Sequence, residues 1–274
     1  MKLLYYSRRK RFLEGLSPNF NQAENVFQII QSLGPRKQTL CVADRSQTFE
    51  GRFLMKTDPI PPLPTTFTKT YEDVCLDVAQ KYWATGKNIT IAWSGGLDSM
   101  NVLVSFLRVS DNNQRIKVIL EPRAINEYSD FYNNFIVPNL NYELLNDYFA
   151  LYMPGPNEIM ITGDPSPEVF GIAYMFNTEP QNIFLPWRQY ITAKLQEQNS
   201  TPQRTQFVID NIERLNSKCP YPIVTAFDWG CWWNFCVIRT NSRSRFLRHG
   251  LRTQQQFDQI KFFFDDELFQ HWSR

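Results

Sequence analysis

Residues Ile89 to Met100 read ITIAWSGGLDSM, and this stretch restricts the possible folds more than any other. Ile89 to Trp93 is a short apolar run that stops abruptly at Ser94-Gly95-Gly96. A run this short, bounded by turn residues, reads as a buried strand. From Ser99 to Val109, the positions Val102, Leu103, Phe106 and Leu107 recur at helical spacing and are expected to face inward. The unit is therefore strand, glycine turn, helix.

The same alternation extends to either side. Thr70-x-x-Asp73 is a capping box ahead of Val74, Cys75, Val78, Ala79 and Tyr82, which share one helical face; Gly86 ends that helix. Ile116 to Leu120 reads as a second strand, and Glu158 to Thr162 as a third or later one. Strands that alternate with helices predict an α/β fold, a mainly parallel sheet with helices on both faces. Ligands of such sheets lie beyond the carboxyl ends of the strands, where Ser94 to Ser99 falls.

Ahead of this region, Asp58 to Thr65 reads DPIPPLPT, which can neither pair as a central strand nor continue a helix. The expected organisation is a small N-terminal α+β piece over 1–60, a proline-rich linker over 61–67 and the α/β domain over 68–274. In the N-terminal piece Ser17 and Pro18 open a helix that Gly34-Pro35 closes. Segments TLCVA and GRFLMK are expected to pair as a hairpin around Asp44 to Glu50. No chemistry is legible there.

Composition excludes several classes. Apolar residues at 43% and charged residues at 20% are ordinary for a globular chain and argue against disorder. The net charge of +2 neither requires nor excludes a nucleic-acid partner. No apolar run reaches the roughly 18 residues of a membrane helix, and the stretch after Tyr6 is too polar for a secretory signal, so a cytoplasmic protein is expected. The five cysteines form no CxxC, which fits free thiols in a reducing compartment. His249 and His271 are the only histidines, so chemistry built on histidine is not expected.

The glycine turn suits an anion. Gly95 and Gly96 permit close approach of a ligand, and backbone N–H groups plus the helix dipole favour negative charge. Ser94 and Ser99 add hydroxyl donors. Asp98 is out of place beside an anion unless a cation lies between them, and Mg²⁺ bridging phosphate oxygens resolves the conflict. The alternative reading is a tight structural turn.

Ser94 to Ser99, SGGLDS, resembles the pyrophosphate loop of the PP-loop ATP pyrophosphatases and matches all its fixed positions. These enzymes cleave ATP to AMP and pyrophosphate and adenylate a substrate oxygen. The resemblance implies a PP-loop, HUP-like domain with ATP and Mg²⁺ as ligands. Ser94, Gly95, Gly96, Leu97 and Ser99 would hold the pyrophosphate and Asp98 the metal. Ile161 to Gly171, ITGDPSPEVFG, resembles the asparagine synthetase segment S-G-E-G-A-D-E-L-F-G. In that alignment Asp164 replaces the first Glu, and Glu168, Phe170 and Gly171 match the last Glu, Phe and Gly. The family's metal-binding Asp falls on Pro167, which has no ligand atom. Asp164 or Glu168 is expected to take its place; the other reading makes Glu168 a helix cap.

Thr225 to Arg239 and Phe262 to Ser273 resemble C-terminal segments of short, stand-alone asparagine synthetase-like proteins encoded by phages. Trp229, Trp232, Trp233 and Phe235 within them are expected to be core residues. Full asparagine synthetases open on a glutaminase domain with an N-terminal Cys; this chain begins Met1-Lys2, so that domain is not expected. By the family's geometry Glu121 to Glu127 borders the adenosine pocket, although its own residues read only as a loop.

Arg239, Arg243, Arg245, Arg248 and Arg252, preceded by Lys218, form a basic stretch. It suits pyrophosphate or a nucleic acid, or is a solvated face. Three functions follow as expectations. The first is an asparagine synthetase-like adenylating ligase acting on an unknown carboxylate or amide. The second is a PP-loop enzyme that modifies tRNA or DNA, and the third a degenerate nucleotide-binding protein.

Overall fold

The computed structural model describes residues 2–5, 41–43, 53–54, 60–62, 66–164, 179–238 and 258–273. Three short strands, β1 (Lys2–Tyr5), β2 (Cys41–Ala43) and β3 (Phe53–Leu54), form an antiparallel sheet in the order β2-β1-β3. The expected hairpin of β2 on β3 does not form: each pairs with β1 instead, Leu4 opposite Val42 and Leu3 opposite Phe53. The N-terminal KLLY segment is a third strand that offers a hydrogen-bonding edge to both. The helix expected after Ser17 lies outside the described residues.

The larger sheet is built where the alternation predicted it. Helix α1 (Tyr71–Trp83) starts at a complete Thr70/Asp73 capping box and buries Val74, Cys75, Val78 and Ala79. Gly86, at φ +74°, turns the chain into β4 (Asn88–Trp93). Helix α2 (Leu97–Val109) follows, then β5 (Ile116–Leu120), helix α3 (Pro122–Glu127), β6 (Asn141–Leu144) and β7 (Glu158–Thr162). Strand β8 (Ile260–Phe262) closes the sheet, and a short helix, Glu267–Trp272, follows it.

All five strands run parallel, in the order β6-β5-β4-β7-β8, with Ile91 opposite Val118 on one side and Ile161 on the other. The fold is α/β, an all-parallel sheet flanked by helices. Ile89, Ile91 and Trp93 of β4 pack with Val102, Leu103 and Phe106 of α2 and with α1 on one face. Ala92 packs with Tyr148 and Tyr152 on the other, where the one-turn helix Tyr148–Leu151 lies. Trp93 and Phe106 are fully buried, each contributing about 1.5–3 kcal/mol relative to exposure.

The chain divides into two compact units: Pro61–Val169 with Arg245–Arg274, and Met1–Ile60 with Phe170–Ser244. The first division falls inside the proline-rich stretch. The expectation kept 68–274 as one domain, whereas Phe170–Ser244 groups with the N-terminal segment. Periodicity reports the face that an element buries, not which distant segment covers it. Three helices, α4 (Trp187–Glu197), α5 (Pro202–Asn216) and α6 (Ala226–Trp233), build this second unit's core. Trp229, Trp232 and Trp233 are fully buried there with Ile191, Ile212 and Leu215, as expected for core residues. The Trp232 indole N–H donates to the Leu215 carbonyl at 3.0 Å. No described helix is long and apolar enough to cross a membrane.

Candidate functional site

The order of the parallel sheet creates a switch point. From β4 the chain steps outward to β5 and β6, then returns to place β7 on the opposite side of β4. The crevice beyond the carboxyl ends of two such strands is where open α/β sheets bind ligands. Ser94 leaves β4 at that crevice, and Gly163 leaves β7 there.

Gly95 makes the turn. Its φ is +84°, and a Cβ there would stand 2.5 Å from the Ala124 carbonyl oxygen and 2.8 Å from the Glu127 Cβ. Only a glycine fits so close to α3 in this conformation. Gly96 is the N-cap of α2 and supplies no side-chain cap, unlike Thr70 at α1, Thr201 at α5 and Thr225 at α6. The first turn of α2 therefore presents backbone N–H groups that its own cap does not cover.

The two serines close the turn. Ser99 Oγ accepts from the Ser94 N–H at 3.0 Å and donates to the Gly96 carbonyl at 3.0 Å. Ser94 Oγ lies 3.1 Å from Ser99 Oγ and accepts from the Gly96 N–H at 3.4 Å. Ser99 is buried and Ser94 half-buried. In this arrangement Ser99 shapes the loop, and donating to a ligand would mean leaving Gly96.

Gly163 brings the second motif to the first. Its Cβ position lies 3.1 Å from both the Asp98 carbonyl carbon and the Ser99 nitrogen, so the end of β7 packs on the first turn of α2. Thr162, opposite Ala92 in the sheet, accepts from the Asp164 N–H and donates to the Asp164 carboxylate, each at 3.2 Å. Asp98 is exposed and Asp164 half-buried. Glu168 and Pro167 lie outside the described residues, as do Arg239, Arg243, Arg245, Arg248 and Arg252. Lys218 is exposed in the turn after α5, in the other unit.

Carboxylates surround the turn. Besides Asp98 and Asp164, Glu127 brings Oε1 to 3.1 Å from the Gly96 Cβ position, and Glu121 lies largely buried at the end of β5, paired with Arg123 at 2.7 Å. The Glu121 to Glu127 segment, expected as a loop, is the helix α3: Pro122 holds N1 and Glu121 the cap position. Its approach to Gly95 could not be read from spacing. The proline at its start was the available signal for the helix.

Among the described residues, no group of three or more His, Cys, Asp or Glu side chains is placed to hold a metal. Mg²⁺ needs no such group, since one or two carboxylates complete a shell of phosphate oxygens and water. Asp98 and Asp164 offer oxygen donors from adjoining backbones. Burial pushes the Cys75 and Cys231 thiols up, Cys231 to about 11, so neither is an activated thiolate. No family model matches the chain, and neither a curated protein nor a solved structure is similar to it.

Proposed function

We propose that the chain is an ATP-dependent adenylating ligase of the PP-loop, asparagine synthetase-like type. The observation that carries this reading is the glycine turn Ser94–Gly96 standing at the switch point between β4 and β7. The backbone N–H groups of Gly95 and Leu97, and that of Gly96 once it leaves Ser94 Oγ, would receive the phosphates, and the α2 dipole favours their charge. Ser94 and Ser99 hold the turn in shape. Asp98 and Asp164, with Glu168 as the further candidate, would hold Mg²⁺, which would neutralise phosphate charge.

In the reaction a carboxylate or amide oxygen of the acceptor forms a bond to the α-phosphorus. The bond to the bridging oxygen breaks, and pyrophosphate leaves with the electron pair. An amine or ammonia then attacks the activated carbon and AMP departs. The chain's residues supply positioning and charge balance, and no covalent protein nucleophile is needed.

Pyrophosphate release from Mg²⁺–ATP, measured across carboxylate and amide acceptors with ammonium present, tests the proposal. Release that depends on acceptor and is lost in Gly95→Ala is expected. Bound ATP without pyrophosphate from any acceptor would leave a nucleotide-binding module, and release only with tRNA or DNA would reassign the acceptor to nucleic acid. Failure to bind ATP at all would overturn the reading.

A further inference from the structure

We propose that Glu127 makes the Ser94–Ser99 turn select metal-complexed polyphosphate over the metal-free anion; this rests on the proposed function. Glu127 is the last residue of α3. Its Cβ stands 2.8 Å from the Gly95 Cβ position, and its Oε1 3.1 Å from that of Gly96. Gly96 is the N-cap of α2 and makes no side-chain cap. The Glu127 carboxylate therefore stands beside the place from which an N-cap side chain would act. A phosphate drawn to the start of α2 meets it there.

Backbone packing fixes this charge at the turn. The Ala124 carbonyl oxygen of α3 lies 2.5 Å from the Gly95 Cβ position, so the whole helix is seated on the turn. No ion pair neutralises Glu127 among the described residues, whereas Glu121, at the other end of α3, is paired with Arg123 at 2.7 Å. A helix N-terminus carries about half a positive charge, which one carboxylate at similar distance outweighs. Their separation from an incoming phosphate is well inside the roughly 10 Å over which 0.1 M salt screens. A bare polyphosphate is thus repelled by Glu127, and by the exposed Asp98 with it. A divalent cation on the phosphates reverses the sign of both interactions. The ligand class is a polyphosphate that arrives with its metal.

Calorimetric titration of the full chain with tripolyphosphate, once with Mg²⁺ and once with a chelator, tests this. Glu127→Gln keeps the size of the side chain and removes its charge. It is expected to tighten metal-free tripolyphosphate roughly 5-fold or more, by a factor that shrinks as salt is added. Affinity for the Mg²⁺ complex should stay the same or fall. Glu127→Asp, which draws the carboxylate back from Gly96, should lie between the parent and Glu127→Gln. Asp111→Asn makes the same change of net charge beyond the other end of α2 and should match the parent in both titrations. Metal-free affinity that is unchanged or lower in Glu127→Gln, or raised as much by Asp111→Asn, would overturn the role of Glu127 while the proposed function stands. Failure of both the parent and Glu127→Gln to bind either form would remove the proposed function as well.

Discussion

At Gly95 the backbone and its surroundings make separate demands. The left-handed φ of +84° costs an L-residue about 1–2 kcal/mol, and the Ala124 carbonyl at 2.5 Å cannot yield unless α3 moves. Gly95→Ala is therefore expected to lower unfolding stability by about 2 kcal/mol or more. Gly96, with φ −79°, meets the end of the Glu127 side chain at 3.1 Å and Ser94 Oγ at an ordinary 3.5 Å, so Gly96→Ala should stay within about 1 kcal/mol of the parent. Urea melts of the two variants decide the matter, and equal losses would contradict the geometry. Asp98 is a different case because it is exposed, and the proposed function gives it the metal. If the chain turns over Mg²⁺–ATP as proposed, Asp98→Asn should reduce that turnover about 100-fold while changing stability by no more than the roughly 1 kcal/mol of a first-turn acid. A variant with the parent's Mg²⁺ dependence would reduce Asp98 to a favourable charge at the start of α2.

Helix ends carry the predictions at the scale of elements. In the α1 capping box, the Thr70 hydroxyl accepts from the Asp73 N–H at 3.2 Å, and the Asp73 carboxylate accepts from the Thr70 N–H at 3.0 Å. Thr70→Ala should cost about 1 kcal/mol. The Thr70 side-chain and backbone hydrogen bonds hold the Asp73 carboxyl below its ordinary range. A depressed native value means the stabilisation is fully present above the unfolded value of about 3.9 and is lost as pH falls through the native one. The stability gap between the parent and Asp73→Asn should thus shrink as the pH is taken below about 4; a gap that widens in acid would refute the assignment. At the other end of the chain, Asp266 caps the helix Glu267–Trp272 through the Leu268 N–H and binds Lys81 of α1 at 2.7 Å and the Tyr82 hydroxyl at 3.2 Å. Its buried carboxylate joins the last helix to the first helix of the sheet unit. Asp266→Ala should cost about 1–3 kcal/mol, and amide exchange should rise first in Leu268 to Trp272.

On the scale of the whole molecule, each unit has its own core. Phe106 belongs to the sheet unit, and Trp232 to the unit formed with Phe170–Ser244. Two units with separate cores do not have to melt together. Phe106→Ala and Trp232→Ala, each expected to cost about 3–5 kcal/mol, should displace different transitions in a calorimetric scan. If the turn binds Mg²⁺–ATP, saturating nucleotide should raise the transition that Phe106→Ala lowers, by about 2.7 kcal/mol at a hundred times Kd. Coincident shifts from both variants would show that the chain unfolds as one cooperative body.

The amino-acid sequence alone determined the local pieces of the sheet unit. The apolar runs at 89–93, 116–120 and 158–162, the capping box at Thr70 and the glycine turn at Ser94 all follow from neighbours within a few positions. Propensity, capping and backbone sterics act over that range. Strands β6 and β8 were not legible: NYEL is exposed along most of its length, and IKF is too short to show alternation. The tertiary structure alone decided that β1 separates β2 from β3 and that β7 returns beside β4. It also set Gly163 against Asp98 and Ser99, and put Ala124 and Glu127 beside Gly95. These contacts join residues tens of positions apart, and their choice depends on which edges and faces remain unpaired once the local elements have formed. A periodic pattern can show that a face is apolar, but the partner for that face is selected only by packing in three dimensions.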